Sequence, residues 1–384
     1  MVRLGDVGKV ITGNTPKTSE VQNYASNDIC FVKPSDIAEG FVSYLNDSEF
    51  YISEHARAKA RVLPPKSVLV TCIGIIGKVA INTVECAFNQ QINAIIPNES
   101  KCVPEYLAYA IQNKQTEMRD IANAPVVPIL NKTQFSNVEI KLPSLAEQAK
   151  LVEKLNAVFE LIIMRKAQLA KLDELVKSRF IELFGDIKET TKLALCCSRI
   201  TDYVASGSFA SIKENVKYYD TEEYAIMVKT ADFANGFTKN LTYTDKHGYE
   251  FLHNSNLFGG ELLLSNIGAS IGKVHRVPKL NKPMTLAPNA IMIKGNELYL
   301  DDYLQYFFVS HLGQRQLKEM TTATAMPKFN KTQLKEVIVP IAPMALQQQF
   351  AAFVEQTDKS KFEIQKSLEK LETLKKALMQ KYFG

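Results

Sequence analysis

Several features of secreted and membrane proteins are missing from this sequence. The six Cys include no Cys-x-x-Cys pair, no apolar leader follows Met1, and no apolar run is long enough to span a bilayer. We therefore expect reduced thiols and a cytoplasmic protein without a membrane segment.

Recognisable catalytic constellations are also missing. The five His do not pair with Cys or acidic residues at metal-ligand spacing, and no Asn-Pro-Pro-aromatic motif of a methyltransferase occurs. The stretches 74–78 and 268–273 contain Gly and Lys, but the spacing differs from a nucleotide-binding phosphate loop and Val follows each Lys. Hairpin turns with exposed Lys explain both stretches. We expect a chain that is not an enzyme, with no cofactor and no metal.

A strong excess of basic charge is missing as well. The sequence has 46 Lys and Arg against 41 Asp and Glu, a net charge of +5. A protein that binds nucleic acid on its own usually shows a larger basic surface. Any DNA binding must therefore use local patches or helper subunits.

What the sequence does contain is one module written twice. Under a constant shift of 199 residues, 128–185 aligns with 327–384 without a gap, and Asn131-Lys132-Thr133-Gln134 matches Asn330-Lys331-Thr332-Gln333. Upstream, Lys33 and Asp36 match Lys229 and Asp232, and residues 76–79 match 271–274. Such self-similarity indicates two equivalent structural units.

Each module ends in a long stretch with helical periodicity. Apolar residues recur at alternating spacings of four and three, without Pro or Gly between 146 and 184, which predicts a long helix with one coiled-coil seam. Ser144 and Glu147 form a capping box by composition, and Gly185 suits a left-handed C-cap. The seam residues are Leu151, Leu155, Val158, Ile162, Leu169, Leu172 and Val176 in the first helix, and Phe350, Val354, Ile364, Leu368, Leu371 and Leu378 in the second.

The remaining sequence predicts two β-rich bodies. Short apolar runs separated by Gly, Pro and Asn indicate strands and turns, followed by helical spacing at 104–122 and again at 301–319. The predicted fold class is α+β, with two tandem β-rich domains separated by two long antiparallel helices and related by a pseudo-two-fold repeat.

Polar residues that recur in both modules are candidates for binding or for turns. Asp36, Asp232, Asn93 and Asn289 suit local hydrogen bonds in turns, whereas repeated Lys are better candidates for phosphate contacts. The segments 14–31 and 208–227, and 40–64 and 236–258, share little, as expected if each body binds a different target. The predicted DNA-binding residues are Asn14, Thr15, Lys17, Lys33, Lys78, Lys132, Lys229, Lys273, Lys328 and Lys331.

The whole plan resembles the specificity subunit of type I restriction-modification enzymes. The resemblance lies in Leu4-Gly5-Asp6, in Gly13-Asn14-Thr15-Pro16, and in residues 32–37, 76–79 and 142–148; the second copy departs from it at 193–195 and at Leu346. It implies target recognition domains at 1–143 and 186–343, and spacer helices at 144–185 and 344–384.

The resemblance further implies a non-catalytic subunit that recognises a bipartite, gapped site in double-stranded DNA. Its partners would be modification (methyltransferase) subunits and, through the complex, restriction subunits. The repeat by itself also suits a structural adaptor that binds two protein partners across a coiled-coil spacer.

Overall fold

The structure, a computed structural model, describes residues 1–122, 127–321 and 326–384. The chain forms two compact units, residues 1–166 with 366–384, and residues 167–365. Each unit has one β-rich body and contains part of both long helices, Leu145–Phe184 and Met344–Phe383. The predicted helices therefore form, while the four predicted domain ranges stay a prediction.

The first unit is built on two sheets. The larger has five strands in the order Gly8–Thr12, Ile92–Pro97, Val68–Thr71, Val79–Asn82 and Ser43–Leu45, all antiparallel except the last pair. The smaller has four strands in the order Tyr51–Ile52, Ile29–Val32, Cys86–Phe88 and Val62–Leu63, with a parallel central pair. A short ladder joins Val2–Arg3 to Glu139–Ile140. The shorter helices are Leu4–Val7, Pro104–Asn113, Gln115–Ile121 and Lys132–Ser136.

The second unit repeats this arrangement. One sheet has the order Cys197–Asp202, Ala290–Gly295, Leu262–Ser265 and Val274–Arg276, and the other Thr242–Thr244, Ala225–Val228, Met284–Leu286 and Asn256–Leu257. The central pair of the latter is again parallel, and Thr190–Lys192 pairs with Ile338–Pro340. The shorter helices are Leu193–Cys196, Phe209–Asn215, Lys246–Phe251, Asp301–Val309, His311–Glu319 and Lys331–Lys335.

Two details of the helices differ from the sequence-based expectation. The helical stretches 104–122 and 301–319 are each divided into two helices, the first at Lys114 and the second at Ser310. The Ser310 side chain caps the helix that follows it. Gly185 does not adopt the left-handed conformation, because its N–H continues the helical pattern to Ile181 O at 2.7 Å. The predicted capping box is confirmed, since Ser144 N–H donates to Glu147 Oε2 at 3.0 Å.

Within the first unit the long helices run antiparallel. The Lys375 ammonium lies 4.9 Å from the centre of the Phe159 ring, and Lys166 pairs with Glu372 at 3.3 Å. Advancing along one helix therefore means going back along the other. Leu151 and Leu155 lie in the same core as Phe383, which contacts the body through Tyr106 at a ring distance of 5.2 Å.

Within the second unit the helices also run antiparallel. Phe180 and Phe350 are 5.4 Å apart between ring centres, and Lys361 pairs with Asp173 at 2.5 Å. All thirteen predicted seam residues are buried or half-buried across the two units. Burial of an apolar stripe is what stabilises such long helices, because propensity alone contributes little. Among the described residues, no helix is both long enough and apolar enough to cross a membrane.

Candidate nucleic-acid interface

In the first unit several strand ends meet at one edge of the body. Asn14 N–H donates to Phe88 O at 3.0 Å, Cys72 N–H to Gln91 O at 2.8 Å, and Leu130 N–H to Cys72 O at 2.8 Å. These bonds join segments that are distant in sequence. We call the resulting surface the first loop edge, formed by residues 13–17, 33–36, 72–78, 89–91 and 129–132.

The second unit has the corresponding surface. Ala287 N–H donates to Val228 O at 3.1 Å, and Phe329 N–H donates to Asn266 O at 3.1 Å. The second loop edge consists of residues 202–206, 229–232, 266–273, 287–289 and 328–331. By these definitions, all ten predicted DNA-binding residues lie on one loop edge or the other.

The sheet register corrects one predicted pair, Asn93 with Asn289. Cys72 N–H bonds Gln91 O, and the equivalent bond of the second unit runs from Asn266 N–H to Asn289 O. Asn289 therefore corresponds to Gln91, and Asn93 corresponds to Ile291. Asn93 is buried and accepts the Thr12 hydroxyl at 2.6 Å, whereas Asn289 holds a left-handed turn at φ 71°. The sequence alignment that matches Asn93 with Asn289 therefore differs from the structural alignment by two residues.

Asp36 and Asp232 hold turns, as the sequence suggested. Asp36 Oδ2 accepts Lys33 N–H at 2.7 Å, and Asp232 Oδ2 accepts Lys229 N–H at 2.8 Å. Burial raises the pKa of the Asp232 carboxyl, although the hydrogen bond and the charge of Lys229 oppose this shift. These two carboxylates therefore have a structural role at the loop edges.

The glycine stretches are hairpin turns, as predicted, but the predicted exposed Lys occurs only in the second, because Lys78 is half-buried whereas Lys273 is exposed. Gly77 and Gly272 have φ values of 83° and 79°, which favour Gly. Gln115 donates to Ile76 O at 3.1 Å, and Gln314 donates to Gly272 O at 2.9 Å. The repeated Gln side chains thus fix both hairpins to the neighbouring helix.

The repeated Asn-Lys-Thr-Gln motif forms the N-cap of a short helix, and its Lys is the first residue of that helix. Asn131 and Asn330 each accept the N–H of the Gln three residues on, at 2.9 Å, completing a capping box. The Lys that follows each Asn differs in its surroundings. Lys132 is exposed, whereas the Lys331 ammonium pairs with Asp202 at 3.2 Å.

The other predicted DNA-binding side chains fall into two groups. Several are engaged within the unit: Asn14 donates to Lys59 O at 2.7 Å, Thr15 to Gln90 Oε1 at 2.8 Å, Lys78 to Pro34 O at 3.3 Å, Lys229 to Asn240 O at 3.0 Å, and the Lys33 ammonium lies over the Phe50 ring. The exposed group consists of Lys17, Lys273 and Lys328. The exposed group can approach a phosphate without breaking an internal contact.

A buried clamp that sequence reasoning missed attaches each long helix to its body. Gln148 accepts Val103 N–H at 2.8 Å and donates to Lys101 O and Pro143 O at 3.0 and 2.8 Å. Gln347 makes the same three bonds, to Leu300 N–H, Leu298 O and Ala342 O. Both Gln side chains are fully buried. The identity of Gln148 and Gln347 under the 199-residue shift was the signal in the sequence that could have indicated this clamp.

No group of three or more His, Cys, Asp or Glu suited to hold a metal ion occurs in the described part of the chain. The loop edges combine exposed cations with hydroxyl and amide groups. Such an arrangement can contact phosphates and base edges without bond-breaking chemistry.

Comparison with known proteins identifies the family. Residues 1–174 and 199–376 match the model of the type I restriction modification DNA specificity domain, so the chain belongs to this family. Each matched segment lies within one copy of the module.

Individual relatives agree with this assignment. The chain is 31% identical over 190 residues to the type I restriction enzyme MjaIX specificity subunit of Methanocaldococcus jannaschii, covering 48% of this chain and 44% of the relative. It is 29% identical over 178 residues to the HindI specificity subunit of Haemophilus influenzae, covering 46% and 38%. The chain thus spans less than half the length of each of these relatives.

A solved structure shares the fold. The S subunit of a type I restriction-modification system from M. genitalium superimposes with a TM-score of 0.56 over 100% of this chain and 95% of that chain, at 12% identity.

Proposed function

We propose that this chain is the non-catalytic specificity subunit of a type I restriction-modification enzyme. Each loop edge would recognise one half of a bipartite, gapped site in double-stranded DNA. The observation that carries the proposal is that each of the two copies of the family domain contains one complete loop edge. Methyl transfer and cleavage would come from partner subunits.

The divergent segments support different targets for the two domains. In the first unit, segment 14–31 contains the 3-10 turn Val21–Tyr24 before its strand, whereas segment 208–227 of the second unit contains the helix Phe209–Asn215 before its strand. The first segment follows strand Gly8–Thr12 after one residue, and the second follows strand Cys197–Asp202 after the 3-10 turn Tyr203–Ser206. Different backbone shapes at equivalent places present different groups to base edges, which carry the sequence information of DNA.

The long helices offer surfaces for modification subunits. Large apolar side chains are exposed on them, among them Ile163 at 58% and Leu374 at 46% in the first unit, and Phe362 at 66% in the second. Large apolar side chains exposed on a helix suit burial against a partner protein. We assign these helices to the docking of methyltransferase subunits, with restriction subunits joining through the complex.

The test is a methylation map. The chain is combined with its modification subunits, and methylated positions are sequenced for the native chain and for a chimera whose segments 208–227 and 236–258 come from a relative with another specificity. We expect a gapped motif for the native chain, and a motif with one changed half for the chimera.

The control is the chain without modification subunits, which should transfer no methyl groups. An unchanged motif in a folded chimera would contradict the assignment of the second loop edge. Methylation without sequence preference would instead favour the adaptor alternative, which the family match does not support.

A further inference from the structure

A pocket of about 650 Å³ in the first unit is surrounded by positive charge. Lys9, Arg61 and Lys132 line it, together with the strand residues 10–12 and Val62, and none of the described residues that line it is acidic. All three cationic residues are exposed. Lys9 and Arg61 do not recur as part of any repeated motif, so the sequence did not single them out.

Arg61 is held in place by the loop edge. The Arg61 guanidinium donates to Thr12 O, and the Arg61 backbone N–H donates to Asn14 Oδ1 at 2.9 Å. The other end of the Asn14 amide donates to Lys59 O at 2.7 Å. Asn14 therefore fixes the backbone at Arg61, so the Arg61 side of the pocket is preorganised.

The sheet registers identify the corresponding residues of the second unit. Lys9 pairs with Ile96 and Arg199 with Lys294 at equivalent places, so Arg199 corresponds to Lys9. By the same reasoning Asp202 corresponds to Thr12, and Ser255 corresponds to Arg61 through the neighbouring strand.

The corresponding place in the second unit carries less positive charge, because Ser255 stands for Arg61 and Asp202 stands for Thr12. Arg199 donates to Asn254 O at 2.7 Å, and Lys331 pairs with Asp202. The Ser255 hydroxyl donates to Asp202 O at 2.9 Å, which replaces the bond from Arg61 to Thr12 O. Three cations without a carboxylate in the first unit thus correspond in the second unit to two cations, Arg199 and Lys331, and one carboxylate, Asp202.

We propose that the pocket formed by Lys9, Arg61 and Lys132 binds a backbone phosphate of DNA beside the half-site of the first domain. The proposal rests on the function proposed above. The three side chains offer donors and positive charge but no acceptor, which suits phosphate oxygens rather than the mixed edges of bases. The second domain holds its DNA without this contact.

The experiment uses the complete complex of the chain with modification subunits and a duplex containing its target. Two variants remove charge with little risk to folding: Lys132→Ala at an exposed position, and Arg61→Ser, which installs the residue of the second unit. Binding is measured from 50 to 200 mM salt. The matched control is the double variant Lys66→Gln/Glu99→Gln, which removes an exposed ion pair beyond the far ends of strands Val68–Thr71 and Ile92–Pro97 without changing the net charge.

We expect each single variant to reduce the slope of log K against log salt by about 0.9, the value for one lost phosphate contact. That loss corresponds to about fivefold weaker binding at 0.15 M salt. The control should leave the slope unchanged, and methylation should keep its sequence preference in all variants.

A duplex with single methylphosphonate linkages locates the contact. At one linkage beside the first half-site, native and Lys132→Ala complexes should bind equally, because the neutral linkage has already removed the charge. An unchanged salt slope in both variants would overturn the phosphate pocket while leaving the DNA-specificity function in place. Weaker assembly with modification subunits, at unchanged DNA affinity of the assembled complex, would overturn it in favour of a protein-binding role.

Discussion

The two units are alike where each body attaches to a long helix, and they differ at the exposed loop edges. Gln148 and Gln347 occupy equivalent places and make the same three hydrogen bonds. Beside the first loop edge, Thr12 bonds to the buried Asn93, whereas the equivalent Asp202 of the second unit pairs with Lys331. The repeated residues are thus mostly those that build the module, and residues that differ decide what each module binds.

The helix seam also differs between the units, and substitutions in it should have the largest effect on the free energy of unfolding. Phe350 is fully buried and touches the rings of Phe180, Phe184 and Tyr306, while its counterpart Leu151 is 9% exposed. We expect Phe350→Ala to lower the free energy of unfolding by about 3 to 5 kcal/mol, and Leu151→Ala by about 2 to 3 kcal/mol. Denaturant unfolding measures both losses. Equal losses would mean that the aromatic cluster adds nothing to the second unit.

The two clamps should respond alike. Gln148→Ala and Gln347→Ala each leave buried backbone groups without a partner, and we expect a loss of about 2 to 3 kcal/mol in either case. Thermal unfolding of the full chain measures the loss, with exposed Lys150→Ala as the control. A large loss for one variant and none for the other would break the equivalence of the modules.

The second loop edge should gain an unpaired cation, like Lys132 of the first, when the Asp202 carboxylate that pairs with Lys331 is removed. Asp202→Asn keeps the shape of the side chain but removes its charge, so that Lys331 is free to approach a phosphate. We expect the salt slope of the assembled complex to steepen by up to about 0.9. Salt titration of DNA binding measures it, and Asp186→Asn, at an exposed acid of the same unit outside the loop edge, is the control. A slope unchanged by Asp202→Asn would show that this Lys does not face DNA.

The smallest expected effect concerns His275, whose equivalent strand position in the first unit is the buried Ala80. Burial and the charge of Lys273 lower the pKa of His275 below its ordinary value of 6.5. The folded state therefore favours neutral His, and stability should fall slightly as the pH drops from 6.5 towards the lowered pKa. Unfolding between pH 5.5 and 7.5, compared with His275→Gln, measures this. The variant should show the weaker pH dependence, and an identical dependence would contradict the assignment.

Much of the architecture could be predicted from the sequence, because it depends on local pattern. The spacing of apolar residues from Leu151 to Val176 reflects the helical period, and Ser144 with Glu147 marks the start of the helix through its unpaired N–H groups. Gly77 and Gly272 follow from a turn that needs positive φ. The repeat itself is visible in the letters of the chain.

The tertiary structure decided the matters that depend on partners distant in sequence. The letters around Asn93 and Asn289 match, yet the sheet register separates them by two residues, since only hydrogen bonds to a neighbouring strand determine register. The repeated Lys132 and Lys331 are identical in sequence but differ in free charge because of Asp202. Arg61 enters a basic pocket with Lys9 and Lys132 only because the sheets bring together segments that the sequence keeps apart. The sequence by itself determined the module, its helices and its turns, whereas the folded chain determined which of the charges are available to bind.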